Sequence, residues 1–361
     1  MVESGRRPTI ADVAERAGVS KTSVSFAFNK PDRLAAGTAE RIRGVAASIG
    51  YRPHPVARML TEGRTGTIGV LTPQALSVMF ENPFFGAFSA GVSFAAEQFG
   101  YAIQLVSPLH GSLARAIDRA TVDGFVAIGL SSDHPELEEI RRAGLPMVTV
   151  DSTWLPNVPA IDVDDERGSR DAAEHLAALG HRQVLVLGFE APISEEVQHP
   201  DSVMSRRLRG YREGLASADL DLPMQAVVEG AATIESGRAC FERAWQSGLH
   251  PTGVLAMSDA IAIGAMRAIR DLGMRVPEDI SVVGFDDIDM AQYVDPPLTT
   301  VRQPMRRKGE EAVRLLLAVV NGEQPSEIHE TLATRLIVRA STAPPPSRAS
   351  ANGRGVTQTT T

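Results

Sequence analysis

From Thr67 to Val338, short apolar runs alternate with helical stretches, and that alternation leaves few architectures open. The candidate strands are Thr67–Leu71, Tyr101–Val106, Gly124–Ile128, Met147–Asp151, Val184–Gly188, Val254–Met257 and Ser281–Phe285. Between them the spacing predicts helices at Gly86–Phe99, Gly168–Leu179 and Ile261–Leu272. Strands that are apolar along nearly their whole length are covered by helices on both faces. The expectation for 64–340 is therefore a doubly wound parallel α/β body, in which ligands bind beyond the carboxyl ends of the strands. The remainder, 341–361, holds Pro344-Pro345-Pro346 and a Ser/Gly/Thr-rich end and reads as a disordered tail.

The first 52 residues follow a different pattern. Thr9-Ile10-Ala11-Asp12 reads as a capping box, with Thr9 the N-cap and Asp12 reaching back. A helix Ile10–Ala17 places Ile10, Val13, Ala14 and Ala17 on one face, Gly18 breaks it, and Ser20 caps a second helix, Lys21–Phe28. A third, Thr38–Ile49, carries Ile42, Val45, Ala46 and Ile49. Two short helices across so tight a turn form a helix-turn-helix. In the second, Val24, Ala27 and Phe28 face inward, and Lys21, Thr22, Ser25 and Phe26 face away, where residues that reach base edges sit. The same polar positions also suit the solvated surface of a small bundle.

Head and body meet at 53–63, where Pro55 suits a first helical position and Gly63 a left-handed stop. Fewer than two turns lie between them, so this hinge should be helical only when docked. Charge divides at the same place. The chain carries −8 overall, but residues 1–62 hold ten Lys/Arg against six Asp/Glu, or +4, leaving −12 for the rest. A basic head on an acidic body points to a polyanion met by the head alone. Cys240 is the only cysteine, which excludes an intramolecular disulfide and a multi-cysteine zinc site. An N-terminus without an apolar core, and no run approaching a membrane span, lead to the expectation of a cytoplasmic protein with no membrane partner.

The run Thr9-Ile10-Ala11-Asp12-Val13-Ala14-Glu15-Arg16-Ala17-Gly18-Val19-Ser20, with Val24-Ser25 and Asn29, resembles the DNA-binding head of the lactose-repressor (LacI) family. The resemblance continues through Gly50-Tyr51-Arg52-Pro53 and Val56-Ala57-Arg58-Met59-Leu60 and on to about residue 340. It implies DNA contacts by Thr9, Ser20, Lys21, Thr22, Ser25, Phe26, Asn29 and Arg58, with Leu60 entering the minor groove as an apolar wedge. Phe26 departs from the family, which often carries Arg or His there. An aromatic ring cannot donate a bidentate pair to guanine, so Lys21 and Thr22 are the better candidates for base contact.

The resemblance also implies a periplasmic-binding-protein-like body of two subdomains, 64–161 with 290–323 and 162–289 with a last strand near Thr334–Val338. Its effector cleft would be lined by Phe84 and Phe85 of Asn82-Pro83-Phe84-Phe85, and by Asp151, Arg207, Ser258, Asp286 and Gln303. Arg207 offers a fork of donors to hydroxyls or a carboxylate, and Asp286 accepts from ligand hydroxyls. Each of these residues alone would equally suit a solvated loop charge or a helix cap. Asp164 and Asp165, preceding a helix, are read that way. Two departures bear on the ligand: Ser258 stands where the family often has Asn, and Ala231-Ala232 where it has an aromatic platform. The ligand is therefore small, differently placed or absent.

No GxxxxGK[ST], GxSxG or HExxH motif occurs, and the eight histidines show no metal-ligand spacing. Neither cofactor nor metal is expected. The reading is a DNA-binding transcriptional regulator, a repressor, whose affinity for a palindromic operator is switched by a small molecule, a sugar or sugar derivative. It would act as a homodimer or a tetramer. The alternative is a cytoplasmic sugar-binding protein or an enzyme of the same architecture.

Overall fold

The computed structural model describes residues 8–52, 59, 63–189, 200–325 and 328–346. It divides into two compact units, Met1–Gly66 and Thr67–Thr361. Arg58 and Leu60, on which the hinge expectations rest, lie outside the described residues. Gly63 has φ 67°, in the left-handed region, and its N–H reaches the Met59 carbonyl at 2.8 Å.

In the first unit, helices span Ile10–Ala17, Lys21–Asn29 and Thr38–Ser48. The Asp12 carboxylate accepts from the Thr9 N–H (2.7 Å) and the Thr9 hydroxyl (2.8 Å), fixing the first helix start. Ser20 accepts from the Ser23 N–H at 3.0 Å and starts the second. Val13, Val24, Ala27, Ile42 and Ala46 form the core, and Phe28 closes it edge-to-face on Tyr51, 5.9 Å between centroids. The third helix also finishes the other two. Arg41 donates to the Ala17 carbonyl and Arg43 Nε to that of Ala27 at 2.8 Å, serving carbonyls that the helix ends leave unpaired.

The second unit contains two six-stranded sheets. The first runs β2–β1–β3–β4–β5–β11, all parallel: β1 is Thr67–Leu71, β2 Ala102–Val106, β3 Phe125–Ile128, β4 Met147–Val150, β5 Ala160–Val163 and β11 His329–Leu332. The second runs β7–β6–β8–β9–β10–β12, with β6 Val184–Phe189, β7 Val227–Gly230, β8 Gly253–Ala256, β9 Ser281–Asp286, β10 Thr299–Arg302 and β12 Arg335–Ile337. Only β12 is antiparallel within it. Fully buried side chains such as Ile68, Val126, Val148 and Ile161 in one sheet, and Leu185, Val254 and Val282 in the other, hold the covering helices.

Close helix packing sets the body's dimensions. Helix Pro83–Gln98 lies on helix Met305–Val320, crossing at Gly91 and Gly309. A Cβ on Gly91 would stand 1.9 Å from the Arg306 carbonyl oxygen, and one on Gly309 would stand 2.4 Å from that of Phe88. Only glycine lets the two backbones meet at this distance.

The chain passes between the sheets after β5, after β10 and before β12. This corrects two expected boundaries. The first sheet keeps β5 to Val163, and the second crossing lies at Gln303–Pro304 instead of near residue 290. β10 escapes a hydrophobic scan because it opens Thr-Thr; the Thr300 hydroxyl is buried, donating to Asp259. β5, β7 and β11 carry Asp, Glu and His and escape for the same reason. The tail is corrected as well. Ser341 is fully buried, its hydroxyl donating to the Val282 carbonyl at 2.6 Å and accepting from the Thr299 N–H at 2.8 Å. Ala343 accepts from Ser281 (2.9 Å) and donates to the same hydroxyl (3.0 Å). The body therefore extends past 340, because the Ser341 hydroxyl serves backbone groups of the second sheet and the Ala343 backbone pairs with the Ser281 side chain.

Candidate functional site

On the Lys21–Asn29 helix, Lys21 and Thr22 are exposed, whereas Ser25, Phe26 and Asn29 are half-buried. Thr22, Ser25, Phe26 and Asn29 stand at i, i+3, i+4 and i+7 of the helix, so they form a single stripe. Phe26 is not a free ring: the Arg33 guanidinium lies 5.7 Å from its centroid. Ser20 is exposed and occupied as the cap, and Thr9 is half-buried at the start of the preceding helix.

In the body, Phe84, Phe85, Asp151, Arg207, Ser258, Asp286 and Gln303 all line one cavity of about 440 Å³. Each sheet contributes the loops at its strands' carboxyl ends: Gly129 after β3 and Asp151 after β4 from one, Ser258 after β8 and Asp286 at the end of β9 from the other. These are the ends at which an open α/β sheet leaves a crevice where its strand order reverses. Phe84, Phe85 and Phe189 supply aromatic walls, and Ala231 and Ala232 line the same cavity with small side chains.

Asp151 and Asp286 occupy strained backbone, with φ of 47° and 124°. A non-glycine residue in such conformations costs about 1–3 kcal/mol, and such strain clusters at ligand sites. Asp286 is buried, which pushes its carboxyl up to about 6 against the opposing pull of Arg207 and of a 2.5 Å bond from Gln303 Nε2. Burial also raises the Asp151 carboxyl, opposed by Lys308.

Arg207 is 4% exposed and tightly held. Its Nε donates to Asp165 at 2.8 Å, Nη1 donates to the Met257 carbonyl and lies 4.0 Å from Asp286, and the guanidinium stacks 3.5 Å from the Phe285 centroid. Part of the fork expected to face a ligand is therefore spent on the protein. Ser258 likewise caps the helix Asp259–Asp271, accepting from Ile261 N at 3.2 Å.

The structure treats the two aspartates after β5 differently. Asp164 is the expected cap, accepting from the Arg167 N–H at 3.1 Å. Asp165 is no solvated charge: it is 1% exposed and paired with both Arg207 and Arg206. Although burial pushes its carboxyl up, the two guanidiniums more than offset this and hold it below its ordinary value. Arg206 continues the network to Asp162 at 3.2 Å, and His329 bonds the same Asp162 at 2.7 Å.

Lys308, fully buried behind the cavity floor, is not among the residues expected at the site. It follows Arg306-Arg307 and resembles a solvated basic run. One signal was available: Met305, Lys308, Ala312 and Leu316 fall on one helical stripe, and the other three are apolar.

Residues 9–54 match the family described as bacterial regulatory proteins, lacI family, and residues 173–342 match the periplasmic binding protein-like domain. The chain is 31% identical over 347 residues to the HTH-type transcriptional regulator CelR of Thermobifida fusca, covering 94% of this chain and 100% of that protein. Among solved structures it is similar to the Lac repressor dimer bound to operator and the anti-inducer ONPF, with a TM-score of 0.77 and 30% identity over 94% of this chain and 100% of that one. A CelR–cellobiose complex matches with a TM-score of 0.68 and 30% identity, over 93% and 100% of the two chains. With a helix-turn-helix unit, a two-sheet cleft and a relative matched along its whole length, the chain belongs to the LacI family of DNA-binding transcriptional regulators.

Proposed function

We propose that this regulator is a cytoplasmic repressor, a homodimer or tetramer on a palindromic operator, whose affinity is switched by a sugar or sugar derivative in the cleft. The observation that carries the reading is the convergence of Asp151, Arg207, Asp286 and Gln303 from both sheets on one cavity with aromatic walls. Carboxylates and a planar fork suit vicinal hydroxyls, and the rings suit the apolar face of a sugar. A ligand touching loops of both sheets favours whichever arrangement of the subdomains satisfies both, and that difference in affinity is all a switch can use. The solved CelR structure with cellobiose and the Lac repressor with operator support the two halves of the reading.

At the DNA, Lys21 and Thr22 read bases from the start of the recognition helix. Ser25, Phe26 and Asn29 extend along its stripe, while Thr9 and Ser20 contribute at the helix starts. Arg58 neutralises phosphate and Leu60 wedges into the minor groove. The test is selection of bound sequences from random duplexes, followed by retardation of the selected duplex with glucose, cellobiose, ribose and their derivatives added in turn. Enrichment of a palindrome, with affinity changed by a sugar, is expected; no enriched duplex, or turnover of a sugar in place of a shift, refutes the reading.

A further inference from the structure

We propose that Lys308 is the internal counter-ion of the cavity floor, and that it makes the cleft select neutral hydroxylated ligands over aminated ones. The proposal rests on the reading of the cleft as a sugar site.

The ammonium has three donors, and the structure assigns all three. Nζ donates to Asp151 Oδ1 at 2.7 Å, to Asp151 Oδ2 at 2.8 Å and to Gln303 Oε1 at 2.7 Å. None is left for a ligand, and Lys308 itself lies behind the cavity wall, fully buried, 5.3 Å from the Phe84 centroid. Its amide oxygen fixed by Lys308, Gln303 turns its nitrogen to Asp286 Oδ1. The result is a continuous chain, Asp151–Lys308–Gln303–Asp286, joining the two cavity carboxylates across the sheets.

A methionine of similar length would fill the same apolar stripe without the cost of burying an ammonium. What the lysine adds is one positive charge directly behind Asp151. Asp151 still lines the cavity, its side chain 15% exposed, and each carboxylate oxygen keeps lone pairs to accept from hydroxyls, but its charge is balanced from behind. Asp165 is shared between Arg206 and Arg207, so the Arg207 charge also serves to offset Asp286, 4.0 Å away. A ligand ammonium would lose its hydration and meet two resident cations, with no uncompensated carboxylate to pair with. Remove Lys308, and a ligand ammonium becomes the natural partner of Asp151.

The experiment follows the melting temperature of the full-length protein against ligand concentration. The probes are matched pairs: glucose with glucosamine, and cellobiose with its diamino counterpart. Wild type should respond to the neutral member of a pair and not to the amino member. In Lys308→Met the preference should move toward the amino member by about tenfold or more, as expected for a gained charge-assisted bond. Asp151→Asn/Lys308→Met, lacking both charges, should return to the wild-type order, which a merely structural role for Lys308 would not produce. An unchanged preference in Lys308→Met overturns the inference and leaves the sugar reading standing, since wild type still responds. A wild type indifferent to every neutral sugar overturns the sugar reading and this inference with it. Should Lys308→Met fail to fold, Asp151→Asn tests the same balance from the other side. Its uncompensated lysine should favour glucuronate over glucose by a similar factor, and an unchanged order there also counts against the proposal.

Discussion

Arg207 holds Asp165, the Met257 carbonyl and the Phe285 face at once, and it lies 4.0 Å from Asp286. Replacing it by Ala should therefore abolish the ligand response and also destabilise the body by about 3–5 kcal/mol, the cost of leaving a buried carboxylate short of a partner. Asp286→Asn is gentler, because its amide oxygen can still accept from Gln303. It should weaken the ligand response while leaving operator binding without ligand intact. It should also change the pH profile. An unfolded aspartate titrates near pH 3.9, whereas Asp286 is pushed up to about 6 in the fold. Folding thus favours the protonated form, and wild type loses stability as pH rises between those values. Melting temperatures from about pH 4 to pH 6 should show wild type falling relative to Asp286→Asn; parallel curves would show that this carboxyl is not buried as described. Single residues differ in how far the sequence reveals their role. Residues at strand ends were legible, because a charged side chain just after an apolar run has little else to do. Asp165 and Lys308 were not, because a charge beside other charges looks solvated until a partner arrives from a distant part of the chain.

Among the elements, the helix starts were the most legible part of the chain. Thr9, Ser20 and Asp164 mark them with local chemistry that tertiary contacts need not complete. Short strands were not. β5, β10 and β11 are four residues each and mix Thr, Asp, Glu or His with their apolar positions. What makes them strands is pairing with neighbours already in the sheet, such as Ala160 with His329, and no local window contains that. The crossing of helices Pro83–Gln98 and Met305–Val320 yields a sharper expectation. Gly91→Ala places a methyl group against the Arg306 carbonyl, which belongs to helix backbone and cannot turn aside. Denaturant unfolding should show a loss of about 1–3 kcal/mol, as overpacking typically costs, where an exposed helical glycine would have gained stability. Gly86, with open space around its Cβ position, is the internal control.

The cleft and both sheets lie C-terminal to residue 66, and the helix-turn-helix core is complete by Tyr51. Removing residues 1–62 should leave a folded body that still binds ligand and no longer retards operator. Retained operator affinity would mean that the body itself meets DNA. Within the intact protein, Lys21→Ala should weaken operator binding and reduce the slope of log affinity against log salt by about one unit if it neutralises a phosphate. If it reads only a base, the slope stays and the preferred sequence changes. Leu60→Ala removes no cation, so it should leave the slope alone and weaken a specific operator without affecting a scrambled duplex. Equal loss on both would place Leu60 in the fold of the protein and not in the groove.

The chain's three passages between the sheets bear on how the protein is made. The first sheet cannot be finished in the order in which it begins. Its edge strand β11, and the helix Met305–Val320 that packs on β3, β4 and β5, follow every strand of the second sheet except β12. Chains emerge from the ribosome N-terminus first, at about 5–20 residues per second. Through most of synthesis the partly built first sheet must therefore wait with the side of β5 that β11 will pair left open, and with the apolar face on which Val313 and Leu316 will pack uncovered. The helix-turn-helix, complete within the first 51 residues, is under no such delay. A nascent chain could thus hold a finished DNA-reading unit well before it holds anything able to sense a ligand.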